Sequence, residues 1–189
     1  MKSVAMIGAG SWATALAVLL AKKGIKLKMW ARRQEQVDQL LQDRENKQYL
    51  PGILFPDTLT ISSDLEETVA GTEAIILGVP SHAVRGIASQ IAPLLREQQI
   101  IVNTAKGLEQ GTMLRLSQVL VEELPAGFAD NIVVLSGPSH AEEVARDIPT
   151  TIVVAASCKR SALVAQDLFM TPAFRVYTNR DLIGVELGG

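Results

Sequence analysis

The sequence has 189 residues, 48% of them hydrophobic and 20% charged, a balance typical of globular proteins that excludes a disordered or fibrous chain. Its formal net charge of -2 and its aromatic content of 4% argue against nucleic acid as a partner, because nucleic acid requires concentrated positive charge or stacking platforms. No apolar run approaches the ~20 residues that cross a bilayer, so we expect no membrane insertion. The expected partner is a small molecule.

Cysteine usage and the N-terminus indicate a cytoplasmic protein. Cys158 is the only cysteine, so it cannot form an internal disulfide and has no companions spaced for a metal site. The chain enters an apolar strand directly after Met1, Lys2 and Ser3, and that strand is too short to be the apolar core of a signal peptide. We expect a reducing compartment and no bound metal.

Short apolar runs alternate with longer stretches of helical period, which predicts an α/β fold with a mostly parallel sheet covered by helices on both faces. The runs are continuously apolar, as strands buried on both faces require. The predicted strands are residues 4–7, 27–30, 74–79, 100–104, 132–135 and 151–154. Besides the helix after the first strand, helical stretches are predicted at residues 36–41, 84–95 and 114–124.

Three further local patterns follow from residue types. Trp12, Leu16, Leu19 and Leu20 recur at helical spacing and predict a first helix with one apolar face, which Gly24 closes. Residues 46–60 contain two prolines and a glycine that interrupt both periods, so we expect a surface loop flanking the site. Asp181 is a candidate N-cap for a last helix that the sequence begins without completing.

The segment Gly8-Ala9-Gly10-Ser11-Trp12-Ala13 joins the first strand to the first helix. Gly8 permits a tight turn, Gly10 lets the backbone approach a pyrophosphate, and the helix N-terminus favours its negative charge. Ala13 stands where a third glycine is most common, and its methyl group is expected to loosen the contact between helix and strand. The position between strand and amphipathic helix predicts a dinucleotide-binding domain of the Rossmann type, a doubly wound fold.

Arg32 and Arg33 follow the second predicted strand, where an acidic residue would select NAD. A guanidinium pairs bidentately with a phosphate, so this pair favours NADP, with NAD remaining possible. The alternative is two solvated arginines without a ligand.

Two segments are candidates for the substrate side, because ligands of doubly wound sheets lie beyond the carboxyl ends of the strands. Lys106 is placed to meet a phosphate or polarise a carbonyl, although lysine followed by Gly107 is also ordinary loop chemistry. Residues 136–143 read as a helix start capped by Ser136 or Ser139, with Pro138 in its first turn. Gly137 and the Ser139 hydroxyl would then face the nicotinamide end of a cofactor.

The two histidines, His82 and His140, each follow a turn and have no evident partner. Imidazole can act as a general acid, but nothing in the sequence pattern requires a chemical role for either histidine.

Several of these segments together resemble the bacterial type of NAD(P)-dependent glycerol-3-phosphate dehydrogenase. The resemblance runs through the whole chain in order, at Ile7-Gly8-Ala9-Gly10-Ser11-Trp12-Ala13, Ala105-Lys106-Gly107-Leu108-Glu109, Gly137-Pro138-Ser139, Glu143-Val144-Ala145 and Gly184-Val185-Glu186-Leu187-Gly188-Gly189. It implies reversible hydride transfer between NAD(P)H and dihydroxyacetone phosphate, giving sn-glycerol 3-phosphate for phospholipid synthesis.

The resemblance also assigns residues. It implies that the cofactor is contacted by Ser11, Trp12, Arg32, Arg33, Lys106 and Ala141, and the substrate by Lys106, Gly137 and Ser139. Lys106 would thus take part in catalysis, whereas the family's proton-handling lysine lies three positions beyond the last matched segment. Residues 1–180 would form the NAD(P)-binding domain and residues 181–189 the start of an all-helical second domain. We expect this fragment to bind dinucleotide but to turn over poorly; a homodimer of the full-length protein is left open.

The sequence departs from the family pattern at Ala13, at His140, where phenylalanine is usual, and at Asp147, which replaces a frequent glycine. Asp147 is tolerable because aspartate adopts a left-handed backbone. Two other functions stay open: a related two-domain reductase resembling ketopantoate reductase, which does not predict Gly137-Pro138-Ser139, and a non-catalytic NADP-binding module.

Overall fold

The apolar runs form one sheet of eight strands in the computed structural model, which describes residues 1 and 3–188. In chain order its strands are β1 (Ser3–Ile7), β2 (Lys26–Trp30), β5 (Leu59–Ser62), β6 (Ala74–Leu77), β7 (Ile100–Asn103), β8 (Ile132–Ser136), β9 (Thr150–Ala156) and β10 (Phe174–Asn179), while β3 (Glu45–Asn46) and β4 (Leu50–Leu54) pair separately as a hairpin. The spatial order in the sheet is β10-β9-β8-β7-β6-β1-β2-β5.

All neighbouring strands of the sheet are parallel except β8 and β9, which pair antiparallel. β1 lies between β2 and β6, so the chain moves to one side of β1 first and to the other side afterwards. Such a reversal leaves a crevice at the carboxyl ends of the central strands. The prediction of a Rossmann-type, doubly wound and mostly parallel sheet is confirmed.

Helices cover both faces of the sheet. They are α1 (Ser11–Lys22), α2 (Gln34–Asp43), α3 (Leu65–Val69), α4 (Val84–Ile91), α5 (Leu116–Glu123), α6 (Ala141–Ala145), α7 (Lys159–Phe169) and α8 (Leu182–Leu187). Val4 and Met6 of β1 belong to the core on one face, whereas Ala5 and Ile7 belong to the core on the other. Alternate side chains of a strand point to opposite faces, so a strand covered on both sides must be apolar throughout.

The first helix, α1, is buried on almost every side, and the prediction of one apolar face is wrong. Every residue from Ala13 to Ala21 is buried. One side of α1 packs on the sheet, and α6, α7 and β4 pack around the others. Small alanines between the leucines allow this close packing. The prediction considered only the spacing of the large residues and therefore missed the burial of the other sides. Gly24 follows the helix end at a φ of +86°, as a C-terminal glycine does.

The predicted surface loop at residues 46–60 is also wrong. Its first part forms the β3–β4 hairpin, and β5 begins within its last residues. Asn46, Leu50, Phe55 and Leu59 are buried. Pro51 and Gly52 are tolerated because this hairpin lies outside the main sheet, where a missing ladder hydrogen bond costs little.

Most other differences concern edges and ends. β10, α3 and α7 were not predicted; in β10 only Phe174 and Val176 are buried, as expected of a sheet edge. Pro93 ends α4 early, and a 3-10 turn at Ala92–Leu94 replaces its last predicted residues. The Asp181 cap is confirmed by a 2.8 Å bond from the Gly184 N–H, and α8 does form a helix. In the part of the chain that the structure describes, no helix has the length and apolar character of a membrane span.

Candidate functional site

At the glycine turn, the backbone of Gly8 lies directly against the backbone of Gly78. Gly8 has a φ of +115°, and a Cβ atom placed on it would lie 2.5 Å from the carbonyl oxygen of Gly78, just after β6. The Gly8 N–H donates to the Trp30 carbonyl at 3.0 Å, and the Gly78 N–H donates to the Ile7 carbonyl at 2.9 Å. The position therefore requires glycine for both its backbone conformation and its surroundings.

Ala13 fits against a second glycine rather than loosening the turn. Its side chain is completely buried, and a Cβ atom placed on Gly78 would lie 2.7 Å from the Ala13 Cβ. Gly78, just after β6, thus supplies the space that a third glycine in the turn would otherwise provide. The expected looseness at Ala13 is not present.

The N-terminus of α1 opens toward the crevice. Gly10 is its N-cap, and a Cβ atom placed there would meet no other atom within 4 Å. Within the described residues no side chain caps this helix, and its first turn carries no acidic residue. The amide groups of the first turn remain available to an anion, which the helix dipole favours.

Arg32 and Arg33 lie past the end of β2, where the sequence placed them. Both are exposed, and neither side chain forms an ion pair or hydrogen bond with any of residues 1 and 3–188. Arg33 lines a hollow of about 300 Å³ together with residues of α2 and the β3–β4 hairpin. Both guanidinium groups are therefore open to an anionic group, which a guanidinium can bind through two parallel hydrogen bonds.

The β3–β4 hairpin holds the glycine turn from behind, a contact that the sequence did not reveal. Asn46 donates from Nδ2 to the Ala9 carbonyl at 3.0 Å and to Thr14 Oγ1 at 2.8 Å. Gln36 of α2 reaches the same carbonyl at 3.5 Å. Asn46 is 2% exposed. A polar residue opening a stretch rich in proline and glycine carried no signal of burial.

Lys106 lies in the segment that we call the Lys106 loop, residues 104–115, between β7 and α5. The first residue of the loop is fixed to the sheet, because the buried Thr104 donates from its N–H and its hydroxyl to the Leu77 carbonyl, at 3.2 and 2.9 Å. The exposed Lys106 ammonium then reaches the Gly137 carbonyl at 3.3 Å. Lys106 therefore bridges toward the segment that follows β8 and keeps donors free for a ligand.

Arg85 of α4 holds the middle of the Lys106 loop. Its guanidinium binds both carboxylate oxygens of Glu109, at 2.7 and 2.9 Å, and also binds Glu122 and Glu123 of α5. Its hydrogen bonds lower the pKa of Glu109 to about 2. Hydrogen bonds to these three carboxylates move the Arg85 pKa above its usual value, so the pair of Arg85 and Glu109 stays charged at neutral pH.

The segment after β8 packs tightly on β9. A Cβ atom placed on Gly137 would lie 3.2 to 3.3 Å from Ile152 and from the Thr151 carbonyl. A helix, α6, does follow, but neither Ser136 nor Ser139 caps it: the N-cap is His140, without a side-chain bond, and Pro138 precedes the helix. The serine hydroxyls are therefore not used as caps. Asp147, after α6, has a φ of +59°, in agreement with the left-handed backbone expected of it.

A cleft of about 330 Å³ joins these pieces at the carboxyl end of the sheet. Of the predicted residues it is lined by Ser11, Trp12, Lys106, Gly137, Ser139 and Ala141, together with His140. Thr104 and Glu142 also line it and were not predicted. Arg32 and Arg33 lie outside this cleft, and so does His82. Within the described ranges, 1 and 3–188, no group of acidic, histidine and cysteine side chains is placed to hold a metal ion.

The last helix, α8, is attached to the end of the Lys106 loop through a buried charge. Glu186 accepts from the Ser117 N–H at 2.7 Å and from the Ser117 hydroxyl at 2.6 Å, and it pairs with Arg115 at 3.0 Å. Its side chain is only 2% exposed. α8 lies against β8 and β9, so residues 182–187 are packed on the sheet domain.

Comparison with known proteins supports the fold and shows the family. The family model "NAD-dependent glycerol-3-phosphate dehydrogenase N-terminus" matches residues 3–162. "Glycerol-3-phosphate dehydrogenase [NAD(P)+]" of Moorella thermoacetica is 55% identical over 188 residues, covering 100% of this chain and 55% of that protein. The protein of the same name from Pelotomaculum thermopropionicum is 51% identical over 98% of this chain and 53% of its own length.

Solved structures support the same fold and family. The crystal structure of glycerol-3-phosphate dehydrogenase from Coxiella burnetii superposes with a TM-score of 0.90 at 36% identity, covering 98% of this chain and 56% of that one. A pyrroline-5-carboxylate reductase from the same organism, at 12% identity and a TM-score of 0.72, shares the fold alone. This chain spans about half the length of the curated relatives it matches, 55% and 53% for the two above. It belongs to the family of the N-terminal part of NAD-dependent glycerol-3-phosphate dehydrogenase.

Proposed function

We propose that this chain binds NADPH or NADH and forms the cofactor half of a glycerol-3-phosphate dehydrogenase. The longer protein would catalyse reversible hydride transfer between NAD(P)H and dihydroxyacetone phosphate, giving sn-glycerol 3-phosphate for phospholipid synthesis. The observation that carries the proposal is the cleft in which the open N-terminus of α1, through Ser11 and Trp12, meets Lys106 and the segment after β8.

The residues present fit a dinucleotide. Gly8 allows the turn, the open side of Gly10 leaves room for a pyrophosphate, and the amides of Ser11 and Trp12 provide donors. Arg32 and Arg33 would hold a 2′-phosphate, which favours NADP over NAD. Ala141, buried at the first turn of α6, would close the pocket beside the nicotinamide.

The substrate side is proposed to consist of Lys106, Gly137 and Ser139. When bound, the reduced nicotinamide supplies a hydride to the carbonyl carbon of the substrate. The Lys106 ammonium stabilises the negative charge that develops on the carbonyl oxygen or the charge of the substrate phosphate. The Ser139 hydroxyl and the Gly137 backbone orient the same molecule, since both residues line the cleft and the Gly137 carbonyl lies 3.3 Å from the Lys106 ammonium.

The alkoxide formed by this transfer needs a proton, and general acid catalysis contributes about 10²- to 10⁴-fold. We propose that this proton comes from the part of the longer relatives that this chain does not span. Residues 1–180 would form the cofactor domain and residues 181–189 the start of a second, helical part. Packing of α8 on the sheet would set where that part begins. We further propose a cytoplasmic protein, consistent with its single cysteine, and a homodimer at full length.

Binding and turnover by the 189-residue polypeptide test the proposal separately. Titration with NADPH and NADH, followed by nicotinamide fluorescence, is expected to show binding with a lower Kd for NADPH. Equal affinity for NADPH and NADH would contradict the proposed preference for NADP, and no binding of either dinucleotide would refute the proposal. In an assay with dihydroxyacetone phosphate and NADPH, turnover is expected to fall about 10²-fold or more below that of a full-length relative.

A further inference from the structure

Asn46 lies behind the glycine turn and outside the cleft, and it is not one of the predicted site residues. Its amide is fully used: Oδ1 accepts from the Tyr49 N–H at 3.2 Å, while Nδ2 donates to the Ala9 carbonyl at 3.0 Å and to Thr14 Oγ1 at 2.8 Å. These bonds fix which end of the amide faces the turn, because only the nitrogen end can donate.

The bond to Ala9 determines the direction of a whole peptide group. The Ala9–Gly10 peptide is trans, so its C=O and its N–H point in opposite directions. Asn46 and Gln36 draw the carbonyl toward the hairpin and α2. The Gly10 N–H must then point away from them. It is not bonded to any other backbone group of residues 1 and 3–188, and the space beside Gly10 is open.

We infer that Asn46 is a positioning residue for the cofactor: by holding the Ala9 carbonyl, it turns the Gly10 N–H toward the pyrophosphate. This inference rests on the proposed function and adds a residue from the crossover between β2 and β5. Without the Asn46 donor, only the long 3.5 Å bond from Gln36 holds this carbonyl, and the peptide can rotate to present its oxygen, which repels a phosphate. The hairpin thus prepares the phosphate site before the cofactor arrives, which lowers the cost of binding.

The test compares Asn46→Asp with Thr14→Val by calorimetric titration with NADP+ at pH 8. Asn46→Asp keeps the side-chain shape but replaces the donor with an acceptor facing Ala9. Thr14→Val removes the other partner of the same amide and leaves the bond to Ala9 intact. Asn46→Asp loses the bond to Ala9 and buries a negative charge, while its carboxylate can accept from the Thr14 hydroxyl; Thr14→Val loses one hydrogen bond of the same buried cluster. NADP+ affinity is expected to fall about 10- to 100-fold in Asn46→Asp and to stay within about threefold in Thr14→Val.

An Asn46→Asp variant that binds NADP+ as tightly as the unchanged chain overturns the inference, and so does an equal loss in Thr14→Val. Failure of the unchanged chain to bind NADP+ or NADH overturns the proposed function as well, so the two failures are distinguishable. If Asn46→Asp does not fold, the Gly10 amide proton of the unchanged chain decides the matter by NMR. A downfield shift of that proton on saturation with NADP+ supports the inference, and an unmoved resonance refutes it.

Discussion

The glycine turn, residues 8–13, and the Lys106 loop, residues 104–115, lie at the same end of the sheet and are held by different interactions. The turn is fixed by sterics and buried contacts: Gly8 against Gly78, Ala13 against the same glycine, and Asn46 behind Ala9. The middle and the end of the Lys106 loop are held by charges, with Glu109 in the half-exposed Arg85 cluster and Arg115 paired with the buried Glu186.

This difference separates two ways of positioning a ligand group. Close packing tolerates almost no change in size and is insensitive to pH and salt. Ion pairs near the surface tolerate small displacements, but they are screened by salt and lost when a carboxylate is protonated. We therefore expect the turn to respond to changes of a single carbon atom and the Lys106 loop to respond to charge and solution conditions.

The largest effect is expected for Gly8→Ala. The new Cβ atom would lie 2.5 Å from a backbone oxygen at a φ of +115°, so strain and overpacking together are expected to cost about 3–5 kcal/mol. Urea denaturation measures the loss. Gly10→Ala is the matched control, because its Cβ enters open space; it should unfold like the unchanged chain while NADPH binds more weakly. Equal stability of the two variants would contradict a sterically fixed turn.

The second largest effect is expected for Glu186→Ala, at the buried end of the Lys106 loop. Glu186→Ala leaves the Arg115 guanidinium and the Ser117 N–H without their partner, and the expected loss of stability is about 2–4 kcal/mol. Thermal unfolding followed by circular dichroism gives the comparison. Glu186→Gln retains an acceptor for Ser117 and should lose clearly less. If both variants lose the same amount, the carboxylate charge rather than its hydrogen bonds holds α8.

A smaller effect is expected for Ala13→Gly. The substitution removes a buried methyl group that fills the space beside Gly78 and adds a glycine to a helix, which together should cost about 1–2 kcal/mol. Gly86→Ala in α4 is a control of opposite sign, since its Cβ would meet no atom within 4 Å. A gain in stability for Ala13→Gly would show that alanine does strain the turn.

The smallest effect is expected for Glu109→Gln, and it depends on pH. Because Arg85 lowers the Glu109 pKa to about 2, ionised Glu109 stabilises the fold above the pKa of about 4.5 in the unfolded chain, and this contribution disappears as pH falls through about 2. At pH 7 the variant should melt a few degrees lower. The difference in Tm should shrink between pH 4.5 and 2 and in 1 M salt. A difference independent of both would contradict a charge-held loop.

Much of the candidate site was predictable because its signals are local. A tight turn needs Gly8, a phosphate needs the open backbone at Gly10, and the continuous apolar runs of β1, β6, β7 and β8 follow from burial on both faces. Lys106, Gly137 and Ser139 were placed by their positions after strands, and the cleft brings them together. Their roles toward cofactor and substrate remain predictions.

The sequence by itself determined the strand–turn–helix order, the mostly parallel sheet and the end of the sheet where the cleft lies, because hydrophobic period and glycine geometry act between close neighbours. Only the tertiary structure decided that Asn46 is buried behind Ala9, 37 residues away, that Gly78 accommodates Ala13, and that Arg85 holds Glu109. These contacts join residues distant in the chain. Neither partner's local pattern differs from that of an ordinary loop or helix residue until the sheet has brought the two together.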